Sequence, residues 1–282
     1  MVISACVAVW FTEKCHPLPT FGESAWRATT NPPELFGLAR TNALTVKGGT
    51  GTTVPGSCMH PLPFPSSALN GFKSDFAADY AVAGPAYEDL VRRELQRLME
   101  AIPPSELAIQ WDVCYEVQDI EGVIAWMGGD SWERFTGPVT RLTRAITEEV
   151  LVGYHLCYGT FPHWPMFEPG DTSLLVRMAN FAIANSGRRV DWIHMAGPTY
   201  LRSEDDRFFR PLTDLRSEDA RVFLGIVLPI DGAAGLRRRY NTASKYIKDF
   251  GVSFYCGFGR QPGEDGMKTM REHREVVMQV VG

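Results

Sequence analysis

The sequence predicts an α/β fold, a TIM-type (βα)8 barrel whose amino-terminal part is irregular or incomplete. Three observations carry that expectation. From Pro85 onward, short apolar runs alternate with segments of helical periodicity, the pattern of βα units feeding a parallel sheet. Five such runs recur every ~30–40 residues, which leaves room for one crossover helix between neighbours. Histidines, cysteines and carboxylates gather at the carboxyl ends of these runs, where parallel βα folds carry their chemistry.

Residues 1–80 read as an irregular segment that contributes to the barrel, and residues 81–282 as its catalytic βα region. The first part is dense in Pro, Gly, Ser and Thr, as in Asn31-Pro32-Pro33, Lys47-Gly48-Gly49-Thr50-Gly51 and His60-Pro61-Leu62-Pro63-Phe64-Pro65. These are turn and extended signals, and no strand–helix alternation is visible there. Ala86–Ile102 then places Tyr87, Leu90, Val91, Leu95, Leu98 and Met99 at helical spacing and stops before Pro103-Pro104. Leu107–Tyr115 is the first strand-length run, followed by Leu151–Tyr158, Val190–Met195, Arg221–Leu228 and Val252–Phe258. Helices are expected over Glu133–Val150, Thr172–Ser186, Ala233–Phe250 and Gly266–Val281. A complete barrel needs three more strands from the first ~100 residues, which show one good helix.

The chain has 282 residues, 45% of them hydrophobic and 22% charged, enough to bury a real core and too balanced for disorder. With 28 basic and 33 acidic side chains the net charge is −5, which argues against nucleic-acid or anionic-membrane binding. No apolar run approaches the ~20 residues of a membrane helix. Val2–Phe11 lacks the basic start and small-residue cleavage site of a secretion signal, so a cytoplasmic chain is expected. Six cysteines (Cys6, Cys15, Cys58, Cys114, Cys157 and Cys256) are scattered singly, as buried thiols or metal ligands are.

His155 and Cys157 stand two apart in the second run, so a strand places both side chains on one face near its carboxyl end. Imidazole and thiolate together suit zinc, although one such pair taken alone is more readily a structural feature. Cys256 ends the last run and His194 lies near the end of the third, so a closed barrel would bring these four to one mouth. Asp112, Cys114 and Glu116 share one face of the first run. Buried carboxylates there imply an ion pair, for instance with Arg237-Arg238-Arg239, or a substrate ammonium or acid–base role. His163 and Trp164 fall in a Pro-flanked loop, either a substrate loop or a surface aromatic loop. Gly257-Phe258-Gly259 lets backbone approach a ligand, with Arg260 as an anion clamp. No dinucleotide fingerprint or phosphate loop is present, and His16, His60 and His273 read as structural.

Gly153-Tyr154-His155-Leu156-Cys157-Tyr158-Gly159 resembles the His-x-Cys strand of the cobalamin-independent methionine synthase catalytic domain. Tyr255-Cys256-Gly257-Phe258-Gly259 resembles that family's last-strand cysteine segment, and Gln110-Trp111-Asp112 its mid-barrel aspartate. Trp111-Asp112-Val113-Cys114 and Ile193-His194-Met195 are closer to relatives grouped with uroporphyrinogen decarboxylase and methionine synthase. The likeness spans roughly residues 60–282. It implies a barrel with zinc at its mouth, held by His155, Cys157 and Cys256, that activates a thiol for methyl transfer. Asp112 would hold the amino group of an amino-acid-like thiol. Where the family has a glutamate ligand this chain has Val190-Asp191-Trp192-Ile193-His194-Met195-Ala196, so His194 replaces it or the fourth place is left to water or substrate.

The expected function is therefore zinc-dependent methyl or alkyl transfer to a small-molecule thiol, with Asp112 and Glu116 catalytic and Asp112, His163, Trp164 and Arg260 binding substrate. Two other readings remain: a metal-free decarboxylase or lyase of the uroporphyrinogen decarboxylase type, with arginines on substrate carboxylates, and a repurposed accessory barrel whose amino-terminal segment pairs two copies as a homodimer.

Overall fold

The computed structural model describes residues 44–46, 76–123, 129–159, 165–198, 205–228, 231–256 and 266–281. Its elements run β1 (Leu44–Val46), α1 (Phe76–Ala101), β2 (Leu107–Val113), α2 (Tyr115–Ile120), α3 (Ser131–Thr143), β3 (Leu151–Leu156), α4 (Ser173–Asn185), β4 (Trp192–Ala196), α5 (Asp206–Phe209), β5 (Arg221–Val227), α6 (Gly232–Ala243), β6 (Gly251–Phe254) and α7 (Gly266–Val281).

The sheet order is β1-β2-β3-β4-β5-β6, with β2 to β6 parallel and β1 antiparallel to β2. All five expected strands are present, each buried along almost its whole length. Strand order follows chain order without reversal, so the sheet is wound in one direction and its two faces differ. One face (Ile109, Trp111, Val152, Tyr154, Ile193, Met195, Val222, Leu224) joins Leu95, Phe135, Leu142, Leu175 and Leu236 of the helices in a single core. On the other face Ala108, Trp192 and Phe223 form a separate apolar floor. Beyond that floor, towards the carboxyl ends, the same face carries Asp112, His155 and His194.

Gly153 makes the floor possible. A Cβ there would lie 2.0 Å from Cε2 of Trp192, so only glycine lets the indole lie across β3. The indole Nε1 then donates to Gln110 Oε1 at 3.4 Å.

The sheet is strongly curved. Cys157 follows β3 and Cys256 follows β6, three strand spacings apart, which on a flat sheet is ~14 Å. Their sulfurs are 3.3 Å apart. The described strands thus wrap around the face that carries the polar residues, while the described part of the sheet ends at β1 and β6.

The structure corrects the expected boundaries in several places. α1 begins at Phe76 rather than after Pro85. The Ala-rich stretch before that proline favours helix, and a proline forfeits one backbone bond without ending it. β1 is a short strand within the region of turn and extended signals. α3 stops at Thr143, not Val150, because Arg188 donates to the carbonyls of Ile146, Thr147 and Val150 and holds that stretch in turns. α6 stops at Ala243, with turn bonds Lys245 N–H to Thr242 O and Tyr246 N–H to Ala243 O succeeding it. No described helix is long and apolar enough to cross a membrane.

Candidate metal centre

The parallel register aligns three side chains. Asp112 on β2 lies opposite His155 on β3, and His155 lies opposite His194 on β4. All three are buried. The imidazoles stack with centroids 4.5 Å apart, and their Nδ1 atoms are 2.6 Å apart.

The hydrogen bonds fix the proton positions. His194 Nε2 lies 2.9 Å from the Phe254 carbonyl, which only accepts, so Nε2 carries the proton. In neutral His194 the other nitrogen, Nδ1, is then an acceptor, and His155 Nδ1–H donates to it. The lone pair of neutral His155 is then on Nε2. That atom faces Cys256 Sγ at 3.7 Å and Asp112 Oδ1 at 3.9 Å.

His194 spans β5 to reach Phe254, and Gly225 opens the way. A Cβ at Gly225 would stand 3.1 Å from His194 Nε2 and 2.8 Å from the Phe254 oxygen. His194 was expected among the ligands. Instead it lies behind His155 with both ring nitrogens engaged, outside the group of converging ligand atoms.

Cys157 and Cys256 complete the group. Ligand atoms of His155, Cys157 and Cys256 all lie within 4.8 Å of one another, and all three residues are buried. Tetrahedral ligands ~2.3 Å from an ion sit ~3.8 Å apart, close to the 3.3 and 3.7 Å seen here. The group can hold a metal ion.

A third thiol borders it. Cys114 packs against the cluster of Cys157, Leu228, Tyr255 and Cys256. Gln118 Nε2 donates to Cys114 Sγ at 3.1 Å, and Gly159 N–H donates to Cys157 Sγ at 3.4 Å. Gly159 has φ +87°, and a Cβ there would meet Gln118 Nε2 at 2.3 Å, so this glycine also makes room for the amide. Hydrogen bonding with Cys114 and burial hold the Cys157 thiol well above its ordinary range. For Cys114 the bond with Cys157 acts to lower the pKa, but desolvation and the nearby Asp112, Cys256 and Glu116 outweigh it and raise it.

The expected common face of Asp112, Cys114 and Glu116 does not form. β2 ends at Val113, Cys114 turns into the helical region (φ −105°, ψ −50°), and Glu116 lies buried in the first turn of α2. The period of two therefore fails after Val113, though Asp112 keeps its expected place on the inner face. The arginines weighed as partners are used elsewhere: Arg239 clasps Asp231 and the Ile226 carbonyl, and Arg237 donates to the Gln279 carbonyl. His273 is structural as expected, its Nδ1 2.7 Å from the Thr269 carbonyl and its ring edge-on to Phe254. His163, Trp164, Arg260 and the Gly257-Phe258-Gly259 segment lie outside the described residues, as do His16 and His60.

Gly225 and Gln118 were not singled out from the sequence. A glycine in an apolar strand does suggest close approach of backbone or ligand, and that was the available signal. Comparison of the chain with protein-family models, curated proteins and solved structures gave no match.

Proposed function

We propose that the protein is a zinc-dependent transferase that places a methyl or alkyl group on a small-molecule thiol. The observation that carries this reading is the convergence of His155 Nε2, Cys157 Sγ and Cys256 Sγ within 4.8 Å on the concave face. Two thiolates and one neutral imidazole suit zinc, and three protein ligands leave a fourth position for substrate. Zinc bound there would lower the pKa of an added thiol and present it as thiolate near neutral pH.

The chain's own residues supply the rest. His194 holds His155 in the tautomer whose Nε2 carries the lone pair a metal would use. Asp112, 3.9 Å from that nitrogen, would take the ammonium of an amino-acid-like thiol. In the transfer the substrate sulfur forms a bond to the carbon as the donor–carbon bond breaks. The bonding pair leaves with the donor, and the thiol proton passes to the donor or solvent. The curved, consecutive sheet belongs in this reading to a (βα)8 barrel, with the site at its carboxyl mouth.

The test is metal content of the full chain purified without added metal, beside Cys157→Ser. About one zinc per wild-type chain and little in the variant is expected, since loss of one of three ligands opens the site. A wild-type chain without metal, even after incubation with zinc, overturns the proposal. A loaded chain should also accelerate alkylation of a small thiol such as 2-mercaptoethanol, and the acceleration should vanish with Cys256→Ser.

A further inference from the structure

Building on the metal reading of the trio, we propose that Cys114 supplies a third thiolate to the ion, closing the site to three sulfurs and one nitrogen when no substrate thiol is present. Cys114 is the half-buried member of a three-thiol cluster whose other two members, Cys157 and Cys256, are fully buried. It packs against the cluster that holds both, and the Cys157 and Cys256 sulfurs lie 3.3 Å apart. It is not within the tight trio, so it must swing inward to reach a tetrahedral edge of ~3.8 Å. Its location favours that movement. Cys114 is held by neither a strand ladder nor a helix interior, but at the bend between β2 and α2.

A second, independent feature addresses the same sulfur. Gln118 is buried one helical turn on, and its amide N–H donates to Cys114 Sγ at 3.1 Å. Gly159 makes the space for that amide, because any Cβ at 159 would collide with it. An N–H aimed at a sulfur is the kind of outer-layer contact that orients a metal ligand.

The consequence is competition. With Cys114 on the ion, an incoming thiol finds no open position and has to take the place of Cys114. Removing Cys114 should then tighten binding of an external thiol, because the binding-competent state is no longer a minor fraction.

Cobalt(II) is the probe, since sulfur-to-cobalt charge-transfer absorption grows with each thiolate bound. In the full chain, Cys114→Ala should take up cobalt yet lose about one third of the band, the share of one sulfur in three. Adding 2-mercaptoethanol to the loaded variant should restore the lost third, at a concentration about tenfold below that needed to perturb wild type. Iodoacetamide gives a second readout on wild type alone, independent of whether the variant folds. Cobalt should protect Cys114 from alkylation together with Cys157 and Cys256. Equal bands in wild type and Cys114→Ala, or Cys114 alkylated at the same rate with and without cobalt while the other two are protected, overturns the proposal and leaves the trio standing. A wild-type chain that binds no cobalt overturns the metal reading and this proposal with it.

Discussion

Gly225 is the opening through which His194 reaches across a strand. His194 Nε2 donates to the Phe254 carbonyl at 2.9 Å, and a Cβ on Gly225 would press on both partners, at 3.1 and 2.8 Å. The consequence lies one residue further on. Without that bond nothing fixes the proton on His194 Nε2, and His155 can then hold its own proton on Nε2, the atom needed for a metal. Gly225→Ala should therefore weaken zinc binding by about 10–100-fold, the usual effect of losing an outer-layer partner. Competition with a chromophoric chelator measures this. Gly170→Ala is the control, because a Cβ there meets nothing within 4 Å, and its affinity should match wild type. Equal affinities for all three chains would refute the role assigned to His194.

Gly153 and Trp192 make a second interlocked pair, and here the effect falls on stability. A methyl at Gly153 would occupy the indole, with three ring atoms within 2.4 Å, so the ring has to leave the floor it shares with Ala108 and Phe223. Overpacking typically costs about 1–3 kcal/mol and more where backbone must move. Gly153→Ala is expected at or above the top of that range by urea unfolding. Trp192→Leu alone leaves a void and also destabilises. The double variant should be less destabilised than the sum of the two, because each change relieves the other. Additive costs would show that the two residues do not compete for this space.

The strands were the most legible part of the fold. β2 to β6 are buried on both faces, so they appear in the sequence as nearly continuous apolar runs whose period need not be resolved. α7 was equally plain, and its ends coincide with those expected. α2 was hidden, because Cys114-Tyr115-Glu116 carries no capping signal and continues the apolar, alternating look of β2. Glu116 was misplaced for that reason alone. In the site, His155, Cys157 and Cys256 were legible as residue types at strand ends, and the curvature of the sheet brings them together. The role of His194 was not legible. Its alignment with His155 follows from the strand pattern, but its bond to Phe254 crosses β5 and depends on a glycine in another strand. No local spacing encodes such a relation.

Asp231 and Arg239 carry a prediction with a marked asymmetry. The Arg239 guanidinium is fully buried, donates to the Ile226 carbonyl at 2.7 Å and meets both Asp231 oxygens at 2.6 and 2.8 Å. This clasp ties the start of α6 to the end of β5, at the same end of the sheet as the metal-ligand group. Asp231→Ala leaves a buried cation without its counter-ion and should destabilise by about 3–5 kcal/mol. Arg239→Met keeps much of the volume and removes the cation, leaving Asp231, whose side chain is 22% exposed, in reach of water, so its cost should be smaller. Chemical denaturation of the two variants gives the order directly. A larger loss for Arg239→Met would show that the ion pair is not what holds this corner.

Tyr154 predicts how the fold responds to alkali. Its hydroxyl is buried between Thr143 Oγ1 at 2.7 Å and Ser186 Oγ at 2.8 Å. Ser186 donates onward to the Ala182 carbonyl, so Tyr154 must donate to Ser186 and accept from Thr143. Burial pushes the phenol up from 10.0 to about 12. The folded state therefore keeps this proton where the unfolded chain has lost it. The contribution is fully present below pH ~10 and is lost as pH rises to about 12, amounting to about 3 kcal/mol for a shift of this size. Tyr154→Phe should be less stable near neutrality by about 1–2 kcal/mol, since Thr143 loses its acceptor inside the core. Between pH 10 and 12, however, its stability should fall less steeply than that of wild type. Urea midpoints across that interval decide the matter: parallel curves for the two proteins would mean that Tyr154 is not the residue that carries the alkaline transition.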